Sequence, residues 1–142
     1  MKTCEKIKTK KKAAKSRNVV KLPYGLIGFE RVKDYALLYN PAEKPFLWFQ
    51  MLDGAKHAFL LLPPREILRD YQPDLRAEDV RFLGLNDPSE ALVLNIVTLH
   101  GPGKSTVNLK GPIVINRRTL VGKQVIPRNA AQYPAKHPLS AS

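Results

Sequence analysis

Gly103-Lys104-Ser105, within HGPGKST (100–106), follows the apolar run ALVLNIVTL (91–99). A strand running into Gly-Lys-Ser is how a nucleotide-binding P-loop begins, its backbone amides cradling phosphates and its lysine reaching them. That motif needs another glycine five positions before the Gly of the triplet, and Thr98 stands there. Pro102 removes an N–H from the short loop that remains. A P-loop must also open a helix, whose N-terminus faces the phosphates. The following STVNLKGPIVIN is rich in β-branched residues and broken by Gly111-Pro112, so it opens none. The stretch reads as a Gly/Pro turn between two strands with Lys104 in solvent.

Other catalytic chemistry is equally short of partners. His57, His100 and His137 lie far apart, and Cys4 is the single cysteine, so no metal-ligand spacing and no internal disulfide can be assembled. A nucleophilic cysteine needs a positioned base, and Cys4 sits in a lysine-rich end. No serine occupies a Gly-x-Ser-x-Gly elbow. Glu78 and Asp79 are neighbours on a helical stretch and point apart, so they read as charges at a helix N-terminus. Asn95 and Asn116 interrupt apolar strands and read as satisfied hydrogen-bonding groups that set register. Trp48 reads as core. The chain is expected to bind rather than catalyse, with no cofactor and no metal.

The elements that would carry these residues are mostly strands. LPYGLIGFE (22–30), with Pro and two glycines among apolar residues, is a shaped turn. DYALLYN (34–40) and PFLWFQML (45–52) read as strands, the second apolar on both faces and so covered on both. Asp53-Gly54 signals a hairpin returning through HAFLLL (57–62), which Pro63-Pro64 ends. DLRAEDVRFLGL (74–85) is the helix candidate, capped by Asp74 and stopped by Gly84. Strand-like runs follow at 91–99, 105–116 and 121–126. Connections this short exclude repeated crossover helices. The expected fold class is therefore mainly β: a small antiparallel β-barrel-like domain with one short helix.

Charge is distributed unevenly. Residues 1–21 carry nine Lys/Arg against Glu5, residues 22–100 carry eight against eleven acids, and residues 101–142 carry seven against none, which together make the net +12. The reading is a basic, disordered N-terminal arm over 1–21, a barrel domain over 22–126 and an irregular C-terminal tail over 127–142. No apolar run approaches the ~20 residues of a bilayer span, and the basic start lacks the apolar stretch of a signal peptide, so a cytoplasmic protein without membrane contact is expected. One functional reading of the charge is a small basic β-barrel that binds RNA. It lacks the aromatic-studded strand of such modules, which leaves weak, non-specific RNA contact through the arm.

Three segments taken together resemble the FliW family of flagellar assembly factors. They are Pro23-Tyr24-Gly25-Leu26-Ile27-Gly28-Phe29-Glu30, then ALVLNIVT (91–98), then NLKGPIVINRRTLVGKQVI (108–126), with YPAKHPL (133–139) similar to the family's ending. Each is modest alone, and their shared order and spacing are specific. The resemblance implies a non-enzymatic, β-barrel-like cytoplasmic bacterial protein that binds flagellin and a CsrA-type translational regulator. Free flagellin then occupies the factor and leaves CsrA to repress flagellin translation, and flagellin export reverses this, a negative linkage between two partners. In place of the strand pair that precedes the first motif in similar proteins, this chain has a lysine-rich segment. The expected partner-contacting residues are Glu30, Asn108, Asn116, Arg117, Lys123 and Gln124, with Phe29 as an apolar anchor. Asn108 is placed outward by the alternation with Val107 and Leu109.

Overall fold

A computed structural model describes residues 18–52, 57–66 and 68–139. The basic segment up to residue 17, Cys4 and the Asp53-Gly54 hairpin signal lie outside the described residues.

Nine strands are described: β1 (Val19–Lys21), β2 (Asp34–Tyr39), β3 (Leu47–Met51), β4 (Ala58–Leu62), β5 (Ala91–Gly101), β6 (Lys104–Val107), β7 (Ile113–Asn116), β8 (Gly122–Gln124) and β9 (His137–Pro138). Every ladder between them is antiparallel. The sheet runs β1-β2-β3-β4-β5-β6-β9, and β7 with β8 branches from β5. Long β5 is the spine, pairing through residues 91–94 with β7, through 95–97 with β4, and through its C-terminal part with β6. The two ends approach where Lys21 N–H donates to Leu120 O at 3.0 Å beside an isolated Lys21–Val121 bridge. The sheet is thus barrel-like but not closed.

Period-two patterning decides what is inside. Tyr35 and Leu37 of β2, Phe49 and Met51 of β3, Leu61, Leu94, Ile113 and Ile115 build the main core, in which the Tyr35 and Phe49 rings stack at 4.5 Å. The alternate positions Ala36 and Leu38 pack against half-buried Trp48 on the opposite face of the sheet. This explains why β2 and β3 are apolar throughout. The Pro23–Glu30 turn is compact for a local reason. Gly25 has φ +67°, and a Cβ there would lie 2.5 Å from Phe29 O and 2.6 Å from Glu30 Cα.

Several expectations are met. Residues 100–106 form the tip of the β5–β6 hairpin, with Gly101 and Gly103 at positive φ and Lys104 exposed. Asn95 and Asn116 are both wholly buried. Others are revised. The helix α1 spans Ala77–Leu83 and is stopped by left-handed Gly84, but Arg76 occupies its N-cap position without a side-chain bond. Asp74 instead ties down the segment after β8: its carbonyl accepts Arg128 N–H at 2.8 Å and its amide donates to Asn129 Oδ1 at 2.9 Å. The run 105–116 is two strands, because residues 108–112 bulge from the edge of β5 between β6 and β7. Val19–Lys21 belong to the sheet, and within the irregular stretch 127–139 β9 pairs with β6 and Leu109 N–H donates to Pro134 O.

Tyr71 is a buried strut under the 108–112 bulge. Its hydroxyl donates to Leu109 O at 2.7 Å, and Asn95 Nδ2, 3.3 Å away, also donates to Asn108 O at 2.7 Å. Burial pushes the phenol up to about 12. A folded pKa above the unfolded value of ~10 means that this contribution is complete below pH 10 and is lost as pH rises through 12. Unfolding free energy is therefore expected to fall by on the order of 2 kcal/mol across that window. Tyr71→Phe should flatten this alkaline limb while costing about 1–3 kcal/mol at neutral pH, where Leu109 O loses its donor. Urea titrations at several pH values measure both effects, and an unchanged alkaline limb would exclude Tyr71 as its source.

Candidate functional site

Lys123 is where the expected residues acquire structure. It lies on β8, its side chain half-buried, and its ammonium donates to Asp79 Oδ1 on α1. The Asp79 side chain is 4% exposed. Asp79 is therefore a buried ion-pair partner, not merely a charge at a helix start. The ammonium also sits 5.3 Å from the centre of the Tyr24 ring and 5.8 Å from that of Phe82, within cation–π range. The two rings lie 5.1 Å apart.

Around this ammonium the surface is unusually apolar. Tyr24 is 57% exposed, Ile27 63%, Ile126 46% and Phe82 37%. Gln124 ties the parts together: its Oε1 accepts Ile27 N–H at 2.8 Å, and its Nε2 donates to Gly111 O at 3.0 Å. Arg76 donates to Ile126 O at 3.0 Å. The Pro23–Glu30 turn, α1 and β8, distant in sequence, thus meet at Lys123, with the Tyr24 and Phe82 rings about its ammonium. Exposed apolar groups gathered in this way mark interaction surfaces.

The remaining expected residues separate. Phe29, 38% exposed, packs edge-on against Phe59 at 5.3 Å and lies 6.0 Å from the His57 ring. Glu30 is exposed, and the Gly28 amide that holds its carboxylate lowers its pKa. Arg117 is exposed on the β7–β8 turn. Asn108 is half-buried between buried Val107 and Leu109, and its side chain is engaged locally. Its Oδ1 accepts the amides of Lys110 and Gly111, because a bulge needs local partners for amides that no ladder satisfies. Asn116 is wholly buried, donating to Leu83 O and accepting from the amides of Arg118 and Thr119.

Tyr24, Ile27, Phe82 and Ile126 escaped the sequence reading. Three had a visible signal. Tyr24 and Ile27 sit in the Pro23–Glu30 motif without apolar periodicity, and Phe82 follows Arg81 on the polar side of a helix whose buried residues are Asp79 and Leu83. Among the described residues no group of His, Cys, Asp and Glu could hold a metal, and no helix is long and apolar enough to cross a membrane.

Comparison with known proteins agrees with this architecture. Residues 3–139 match the family model described as FliW protein. The chain is 39% identical over 115 residues to a flagellar assembly factor FliW of Leptospira interrogans, covering 80% of this chain and 77% of that one. It is 36% identical over 124 residues to a flagellar assembly factor FliW of Clostridium botulinum, covering 87% and 86%. A crystal structure of the flagellar assembly factor FliW superposes with a TM-score of 0.76 at 30% identity, covering 85% of this chain and 84% of that one. The chain belongs to the FliW family.

Proposed function

We propose that this protein is a non-enzymatic flagellar assembly factor that works in the cytoplasm. It binds flagellin and, in competition with it, a CsrA-type translational regulator, so that flagellin level sets flagellin translation. The observation carrying the reading is the family match across residues 3–139. The apolar face around Lys123 supports it, since a protein that acts by binding needs a surface with aromatic anchors and little to reorganise. Tyr24 and Phe82 are the anchors, with Ile27, Gln124 and Ile126 beside them. Phe29, Glu30 and Arg117 border the interface as secondary contacts. Asn108 and Asn116 hold its supports in place.

Binding of purified flagellin and of CsrA, measured separately and together by calorimetry, tests the reading. Phe82→Ser is expected to weaken flagellin binding at least tenfold, because truncating a central aromatic anchor costs about 2 kcal/mol or more, while the fold melts near the parent temperature. Excess flagellin should displace CsrA. Failure of both proteins to bind the folded wild type would overturn the function, and unaltered affinity in folded Phe82→Ser would overturn only the choice of face.

A further inference from the structure

Opposite β7, the edge of β5 over residues 91–94 has no strand beside it among the described residues. Glu90 O accepts Arg117 N–H at 2.8 Å, and Ile96 O accepts Asn108 N–H at 2.9 Å. Even-numbered residues therefore turn their N–H and C=O towards β7 and β6, and odd-numbered residues turn theirs to the opposite edge. There β4 pairs only as far as Leu62 with Asn95. Its next residues, Pro63 and Pro64, have no N–H, and the chain leaves the ladder for a 3-10 turn over Pro64–Glu66 that stays close to β5. Ala91 N–H is taken by Pro88 O. The Ala91 carbonyl and both backbone groups of Val93 have no other partner among the described residues.

This edge lies in a groove of about 760 Å³, lined on one side by Pro63 and Pro64 and on the other by Ala91, Leu92 and Val93. A second hollow of about 440 Å³ shares Pro63 and Leu92 with it, so the opening continues past the strand edge. Two guanidinium-bearing residues, Arg65 and Arg117, line the groove, and neither has a carboxylate partner among the described residues. Asp87 lines it too, but its carboxylate accepts from the Ser89 amide and hydroxyl. The Ser89 bonds favour the ionised Asp87, so the lining carries two positive charges against one negative and is net positive.

We propose that this notch takes up an extended segment of another protein, apolar at its centre and flanked by Asp or Glu. The segment adds a short strand to β5 through Val93 and Ala91 and sets its carboxylates against Arg65 and Arg117. A second copy of this chain, at net +12, and its own lysine-rich start are repelled by the same arginines. Arg117 borders both the notch and the Tyr24–Phe82 face, so Val93→Pro and Phe82→Ser, rather than Arg117→Glu, tell the two surfaces apart.

The capped peptides Asp-Val-Thr-Val-Asp and Lys-Val-Thr-Val-Lys test this against the full chain, with amide exchange followed by NMR. The acidic peptide should bind at least tenfold more tightly at low salt, lose affinity as salt rises, and slow Val93 amide exchange at least tenfold. Arg117→Glu, on an exposed turn, should abolish the preference. Val93→Pro removes an N–H that makes no rung to β7 and should abolish binding, and Arg117→Glu serves alone if that variant does not fold. Equal affinity for the two peptides, no binding of either, a Val93 amide already slow in the free protein, or protection confined to other strands would each overturn the proposal.

Discussion

Lys123→Met is expected to lower the stability of the fold by about 3 kcal/mol, the lower end of the cost of leaving one charge of a buried pair alone, because Lys123 itself is partly exposed. The loss falls on Asp79, whose side chain is 4% exposed and would be left buried on the inner side of α1 without its partner. In a domain of this size that corresponds to a melting temperature lower by roughly 10 °C. The double variant Asp79→Leu/Lys123→Met should recover most of it, since replacing both members of a buried pair by apolar groups is often neutral or better. Thermal melts of the two variants decide the matter. A single variant melting with the wild type would mean that Asp79 does not depend on Lys123. The same result warns against reversing the charge at Lys123 to probe partner binding, because loss of affinity would report an unmade core. Phe82→Ser and changes at Arg117 avoid that confusion.

Asn116→Ala should be comparably costly, about 2–4 kcal/mol, because three hydrogen bonds of a wholly buried side chain disappear together. Leu83 O at the end of α1 is left without a donor at 2.8 Å, and the amides of Arg118 and Thr119 lose their acceptor. These bonds also hold the β7–β8 turn in which Leu120 adopts φ 60°, a left-handed conformation that a leucine keeps only when its surroundings impose it. Asn116→Asp separates the two roles: it retains an acceptor for the turn but removes the donor to α1 and buries a charge. Urea unfolding gives the cost, and amide exchange at Arg118 and Thr119 locates it. A cost below ~1 kcal/mol with those amides still protected would contradict the assignment.

How far the sequence could be read follows the range of the interactions involved. The β-rich character, the Gly/Pro turn at 100–106, the stop of α1 at Gly84 and the breaking of β4 at Pro63-Pro64 depend on residues within a few positions of each other. Backbone sterics and period-two alternation express them directly. That Asn95 and Asn116 are buried hydrogen-bonding groups was also legible, but what they hold, the 108–112 bulge, the β7–β8 turn and the end of α1, was not. The alternation about Asn108 holds, with Val107 and Leu109 buried on either side, but which groups its amide bonds depends on how the chain leaves the ladder.

Some features are fixed by composition and local order alone: antiparallel strands with short connections, a basic surplus gathered at the two ends, the absence of a P-loop, and motifs specific enough to suggest the family. Tertiary structure alone decided the rest. It brought Lys123 to Asp79 across 44 positions, set the Tyr24 and Phe82 rings about one ammonium, and placed Val93 on the lining of a groove. The reason is physical: a side chain's partner across the fold is set by which strands lie side by side. That depends on the free energy of burying the whole core rather than on any neighbouring residues.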